Sequence, residues 1–453
     1  MPAIITTNFR IENAVNFITD VANTSNGVYL FIGKSDAWSN SLSISSDSAA
    51  DTPSDNIVDI DKAWTNMIAM KHITSSNVIN LTPRINWTSG TTYVPWDDVD
   101  TTIYSKSFYI ITDEFKVYKC ILAGAGASTI KPTQTNTNPT AEGDGYTWKY
   151  MFSISTIDAN NFLTNTYVPV KTVVIPTGGS IGDLTADDQT KYNIQQNSAG
   201  NNGKIYRAVV TSGGTGYSAS PTITIKGDGA GATAQAVVSG GVITAINVTA
   251  NGTTPYHNAY ITITDSTGSS ATARAVLSPS GGHGTDPVRE LGAFFTGVEV
   301  SLLYADGSGN FIVNNSFRQI GIIKNPYVYG TSTVGSATTY STLKALQLDS
   351  GSGFTTGDYI TGGSSGTKAF IDSYDGAANI IKYHQNNKTG YGNFTLGEAI
   401  TGFTSGTGTI AASGGLINPQ VQPYSGKMLF LENRAPINRS ASQIENIKLV
   451  IEF

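Results

Sequence analysis

From Phe9 to Val21 the apolar residues Ile11, Ala14, Val15 and Ile18 recur at three- and four-residue spacings, which predicts an opening helix with one apolar face. A second helix is predicted from Asp61, as its cap, to about His72, through Trp64, Met67 and Ile68. A shorter one is predicted to begin at Ser155, with Ile157 and Phe162 set among polar residues. Elsewhere the apolar runs are short or alternate with period two. Residues 28–32, 107–112, 117–122, 150–154, 317–323, 428–431 and 447–453 read as strands. Strands along the whole length with few helices predict an all-β, mainly antiparallel fold with a layered β-sandwich core and a few short helices.

Two stretches repeat themselves. Ile223-Thr-Ile-Lys followed by Ala232-Thr-Ala-Gln-Ala-Val-Val-Ser239 returns as Ile261-Thr-Ile-Thr followed by Ala271-Thr-Ala-Arg-Ala-Val-Leu-Ser278. Phe354-Thr-Thr-Gly-Asp-Tyr-Ile-Thr-Gly362 with Ser365-Gly-Thr367 returns as Phe394-Thr-Leu-Gly-Glu-Ala-Ile-Thr-Gly402 with Ser405-Gly-Thr407. One copy is a hairpin or two, too small to bury its own apolar face, so pairs of copies are expected to close small β modules. The expected organisation is a core at 1–203, an inserted β-repeat module at 204–282, core again at 283–340, a second module at 341–415 and C-terminal core strands at 416–453.

The segments outside the modules resemble, in the family's own order, the baseplate wedge subunit of T-even-type contractile-tailed phages, the product of gene eight. Asn8-Phe-Arg-Ile-Glu-Asn-Ala-Val-Asn-Phe17 is similar to its opening helix. Val28-Tyr-Leu-Phe-Ile-Gly-Lys-Ser-Asp-Ala-Trp-Ser39 resembles its first strand and the turn ending in Trp-Ser. Asp61-Lys-Ala-Trp-Thr-Asn-Met67 and Pro83-Arg-Ile-Asn-Trp87 follow, then Gly143-Asp-Gly-Tyr-Thr-Trp-Lys-Tyr-Met-Phe152, the most specific of the set. Phe317-Arg-Gln-Ile-Gly-Ile-Ile-Lys-Asn-Pro326, Ser425-Gly-Lys-Met-Leu-Phe-Leu-Glu-Asn-Arg-Ala-Pro436 and the strand to Phe453 complete the order. The resemblance implies a structural role in the virion's tail baseplate, assembly in the host cytoplasm, contacts with other wedge proteins, a homodimer and no catalytic activity. The two repeat modules depart from the family pattern.

Composition narrows the field. The net charge is −6 with a pI near 5.3, which leaves no basic footprint for a nucleic-acid partner. No run approaches the ~18 apolar residues of a membrane span, and Met1-Pro-Ala-Ile-Ile-Thr-Thr lacks the regions of a signal peptide. A soluble intracellular chain without membrane insertion is expected. The lone Cys120 excludes an internal disulfide and reads as a buried small hydrophobe.

Candidate chemistry is sparse, and neither catalytic, cofactor-binding nor metal residues are expected. Gly143-Asp144-Gly reads as a tight turn that places Tyr146, Trp148 and Tyr150 on one face of the next strand. Asp306-Gly-Ser-Gly-Asn310 reads as a hairpin turn between strands at 298–304 and 311–313. His72, His257, His283 and His384 are dispersed. The residues singled out as core-locking or interface positions are Trp38, Trp64, Asp144, Tyr146, Trp148, Arg318, Gln319, Asn433 and Arg434. For Arg318 and Arg434 an internal role is slightly favoured over a partner contact.

Rival readings name their own residues. A tail-fibre or adhesin protein would contact cell-surface glycans through the modules, using Tyr217, Tyr256, Tyr260, Tyr359, Tyr383 or Tyr391. A polysaccharide depolymerase would use the acidic cluster at Asp97 and Asp98. An outer-membrane barrel is suggested only by the alternation at 447–453 and lacks a signal peptide.

Overall fold

The computed structural model describes residues 4–39, 42, 47–304, 306–441 and 443–453. The fold is all-β and mainly antiparallel, and it divides into two compact units. The first comprises Met1–Val15, Ile79–Gly297 and Val450–Phe453, and the second Asn16–Val78 and Val298–Leu449.

In the first unit, strands Tyr109–Ile111, Lys116–Leu122, Thr147–Ser153 and Thr140–Ala141 form one sheet in that order. One of its faces carries Phe108, Ile111, Val117, Met151 and Phe152 into a core shared with Ile11, Val168, Val288 and Leu291. The other carries the aromatic set around Trp148. Strand Val78–Pro83 pairs with Tyr167–Val170, with Leu81 opposite Pro169.

The first pair of repeats builds a four-stranded sheet, Val242–Thr254, Ala230–Ser239, Thr222–Gly227 and Ala259–Thr264, with a second ladder between Arg207–Thr215 and Ser269–Val276. The two Ile-Thr-Ile copies pair with each other, Ile223 with Ile263 and Ile225 with Ile261. Each copy also lends a tyrosine to the other. The Ala271 N–H donates to the Tyr217 hydroxyl at 3.1 Å, and the Ala232 N–H donates to the Tyr256 hydroxyl at 3.3 Å. A Cβ on Gly229 would collide with the Tyr256 ring, and one on Gly268 with the Tyr217 ring, so glycine admits each lock. Tyr217→Phe and Tyr256→Phe each orphan one backbone donor and are expected to destabilise the module equally, by about 1–3 kcal/mol. Hydrogen exchange of the amides at 271 and 232 reads the two effects separately.

In the second unit the five-stranded sheet runs Thr339–Ser341, Met67–His72, Val28–Gly33, Asn315–Lys324 and Lys427–Arg439. The second pair of repeats closes on itself. Strands Lys344–Ser352, Ile380–His384, Lys368–Asp375, Tyr359–Gly362, Ala399–Gly402 and Thr407–Ile410 pair in a ring, because Lys344–Ser352 takes Ile380–His384 on one edge and Thr407–Ile410 on the other. Closure leaves these strands no free edge. Leu346, Leu348, Phe354, Ile360, Ile371, Phe394, Ile400 and Ile410 fill the inside. The copies again cap each other. The Thr404 N–H donates to Asp358 at 2.7 Å, while the N–H groups of Ser364 and Ser365 donate to Glu398 at 3.1 and 2.9 Å.

Several sequence expectations change. The opening helix spans Thr7–Ala22 and the third Thr156–Phe162, capped by Ser155. The second helix is only Ile57–Asn66, with Asn56 rather than Asp61 as its cap, and Met67–His72 is a strand. Met67 to Met70 are buried without a break because this strand lies inside a sheet, and a short continuous apolar run fits either helix or buried strand. Residues 311–313 form no strand; Phe311 and Ile312 are buried in irregular chain, and Asp306 opens a 3₁₀ turn whose carboxylate meets Lys71 at 2.7 Å. Helix Ala186–Ser198 was not expected, because its buried side are the polar Lys191, Gln195 and Ser198. Its one sequence signal is the cap, Thr185 accepting from Asp188 N–H at 3.2 Å. Among the described residues no helix is long and apolar enough to cross a membrane.

Candidate functional site

The Gly-Asp-Gly turn and the strand after it are a packing device. Asp144 Oδ2 accepts from Thr129 N–H at 2.8 Å, Ile130 N–H at 3.0 Å and the Ser128 hydroxyl at 3.1 Å. Burial pushes this carboxyl up, but those donors outweigh it and hold it below the usual carboxylate range. Tyr146, Trp148 and Tyr150 join Tyr93, Tyr118 and the buried, free Cys120 in one cluster, where the Tyr146 and Trp148 rings stack at 5.7 Å.

Five of the other singled-out residues meet in one place. There, Ser35, Trp38, Asp47 and Asp51 meet residues of strands Asn315–Lys324 and Lys427–Arg439. Arg318 is nearly buried; its Nε meets Asp47 Oδ2 at 2.6 Å and its Nη1 donates to the Ser35 carbonyl at 2.5 Å. Gln319 donates to Asn433 Oδ1 at 2.8 Å, directly across the ladder, and Asn433 donates to the Asp51 carbonyl at 2.9 Å. The Trp38 indole donates to the Arg434 carbonyl at 2.9 Å, while the Arg434 guanidinium is exposed, with Glu432 at 3.6 Å. Trp64 lies apart, buried with Tyr29, Phe31 and Met70. A cleft of about 360 Å³ beside this lock is lined by Arg318, Lys388 and Arg439. Each of those cations already has a carboxylate, from Asp47, Asp36 and Glu445 respectively.

Three further ion clusters lie elsewhere, and the third contains Asp97 and Asp98, singled out above only as an acidic cluster. The first ties the closed repeat module to the turn after strand Val28–Gly33. His384 Nδ1 meets Asp372 Oδ2 at 2.8 Å and its Nε2 meets Asp36 Oδ1 at 3.3 Å. Asp36 also holds Lys34 and Lys388, both at 2.7 Å, and Asp372 accepts from the Ser35 hydroxyl at 2.5 Å. Burial disfavours charge on His384, yet Asp372 and Asp36 hold its pKa at about 9.

The second cluster lies under the aromatic strand, where Lys119, Lys149, Glu290 and His283 are all buried. Lys119 Nζ meets Glu290 Oε2 at 2.8 Å and lies 3.9 Å from the Trp96 ring centroid.

The third holds the root of the first repeat module. Asp97 Oδ2 accepts from Arg207 at 2.8 Å and Arg274 at 2.5 Å, and Asp98 meets Arg274 at 3.2 Å. Arg207 and Arg274 lie on the module's first and last strands, so one carboxylate fixes both. Burial pushes Asp97 up, but Arg274 and Arg207 keep it below its usual range. A carboxylate held ionised this way cannot serve as a general acid. Asp97→Asn is expected to raise amide exchange in both root strands at least tenfold while the sheet around Trp148 stays protected.

The tyrosines proposed for glycan contact divide unevenly. Tyr217, Tyr256, Tyr359 and Tyr383 are buried, and only Tyr260 and Tyr391 are exposed. Among the described residues no group of three histidine, cysteine or acidic side chains is placed to hold a metal ion.

Comparison with known proteins agrees with the family resemblance. Residues 3–122 match the family described as Bacteriophage T4, Gp8. That stretch contains the segments at 8–17, 28–39, 61–67 and 83–87 that carried the resemblance; those at 143–152, 317–326 and 425–436 lie beyond it. The chain is also 25% identical over 204 residues to the baseplate wedge protein gp8 of Enterobacteria phage T4, covering 37% of this chain and 60% of that protein. The chain thus spans less than two thirds of the length of that relative.

Proposed function

We propose that this chain, with its likeness to the T4 baseplate wedge protein gp8, is a structural subunit of a contractile phage tail baseplate and acts through protein–protein contacts. The observation that carries the reading is the family match over residues 3–122. The buried ion clusters support it, since they bind elements of the fold together. In this reading the chain pairs with a second copy, binds other wedge proteins, and is assembled in the host cytoplasm into the virion. It has no catalytic activity. The repeat regions 204–282 and 341–415 are insertions into a core made of the remaining segments, and Asp97 and Asp36 are the residues that hold them at fixed angles. Stable contacts of this kind bury about 1,600 Å² or more.

Light scattering after size exclusion, on the chain alone and mixed with wedge proteins of the same phage, tests the reading. A dimer that moves into a larger complex is expected. A species indifferent to every wedge protein would overturn it.

A further inference from the structure

The closed repeat module is nearly two-fold symmetric, and its departures from symmetry are informative. Residues 40 apart perform the same task in both copies: Phe354 and Phe394 fill the core, and Asp358 and Glu398 cap the opposite turn. The backbone repeats too. Gly363 N–H donates to the Ala399 carbonyl and Phe403 N–H to the Tyr359 carbonyl, both at 2.8 Å. Yet on one side of the axis the pair is Gly363 and Ala399, and on the other it is Phe403 and Tyr359. The same backbone turn is thus built once with a small pair and once with an aromatic one.

That aromatic pair is built as a platform. Phe403 is 65% exposed, and its ring stacks on the buried Tyr359 ring at 4.6 Å with only 23° between planes. One face of the phenyl ring is covered and the other is turned away from the protein. Lys368 Nζ lies 5.6 Å from the Tyr359 centroid and forms no ion pair among the described residues. The next row across the sheet is Lys368, Thr361, Thr401 and Thr407, in register on the same side. The opposite side of these strands, Ile360, Ala369, Ile400 and Ile410, is the module core. A flat aromatic face, a row of hydroxyls and one unpaired ammonium therefore share one surface.

We propose that this surface binds a saccharide carrying an acid group, the apolar face of a pyranose ring lying on Phe403, its hydroxyls bonding the threonine row and its acid group meeting Lys368. The unpaired ammonium selects the charge, and the outward ring face suits a flat C–H surface better than the deep pocket an interface anchor residue fills. The site goes beyond the wedge role and does not depend on it.

The test is calorimetry on the full chain with a galacturonate tetramer, its uncharged methyl ester, glucose 6-phosphate and glucose. Each acid form is expected to bind at least tenfold more tightly than its neutral partner. Phe403→Gly places at 403 the residue its symmetric mate already carries, so the module should fold, and binding should be lost. Lys368→Gln should leave the ester unaffected and bring the acid down to its level. The proposal is overturned if neither acid outbinds its neutral partner, or if Phe403→Gly binds unchanged. If Phe403→Gly instead weakens only the complex with wedge proteins, the platform is a protein contact and the saccharide site falls, while the wedge reading stands.

Discussion

Glu290→Ala is expected to lower the stability of the first unit by about 3–5 kcal/mol, the cost of leaving buried charge without its partner. Two ammonium groups, on Lys119 and Lys149, are completely buried and have this one carboxylate between them. Glu290 Oε1 also accepts from Gly284 N–H at 2.7 Å and Asp286 N–H at 3.2 Å, so the substitution orphans two backbone donors as well. Urea unfolding measures the loss, and a drop under 1 kcal/mol would mean that the lysines reach water once Glu290 is gone. The cluster also has a pH signature. Burial, reinforced by Lys119, pulls the Lys149 amine down to about 8 although Glu290 opposes it. Between about pH 8 and the unfolded value near 10.4 the unfolded chain holds the extra proton, so this group makes stability rise with pH there. Lys149→Met should abolish that rise.

Asp36→Asn is expected to have a comparable effect on the second unit, about 3–5 kcal/mol, because it leaves Lys34, Lys388 and His384 facing Asp372 alone. Burial works against charge on Asp36, but the hydrogen bond from His384 and the nearby lysines hold its carboxyl well below the usual range. The histidine gives the opposite pH dependence to Lys149. Its folded pKa of about 9 lies above the unfolded value near 6.5, so its contribution is complete below pH 6.5 and is lost as pH rises to 9. Burial lowers the Lys34 amine, whose contribution therefore runs the other way. The difference between wild type and His384→Asn isolates the histidine. A difference that stays flat from pH 6 to 9 would mean that His384 is neutral in the fold. Loss of the cluster should also free the closed repeat module from the turn at Lys34–Asp36, read as faster exchange of those amides.

Sequence reasoning succeeded where the signal is local. The opening helix, the Ser155 cap, the strands at 28–32, 117–122 and 317–323, and the internal repeats all follow from spacing along the chain. It failed where a choice depends on neighbours. Met67–His72 became a strand because Val28–Gly33 and Thr339–Ser341 flank it, and the 13-residue helix Ala186–Ser198 stands on polar side chains that bond to distant partners, such as Lys191 to Asp158 at 3.0 Å.

The sequence by itself therefore determined the all-β class, the two duplicated segments and the likeness to a baseplate family, because periodicity, turn residues and ordered motifs are properties of adjacent residues. Only the tertiary structure decided what the charged residues do. Asp36 meets His384, Asp97 meets Arg207 and Lys119 meets Glu290 across separations of more than 100 residues. No spacing rule reaches that far, since such pairs are chosen by the folded path of the chain. The repeats already differ in sequence at Tyr359 and Ala399 and at Gly363 and Phe403, but the stacking of Phe403 on Tyr359 is likewise a product of the fold.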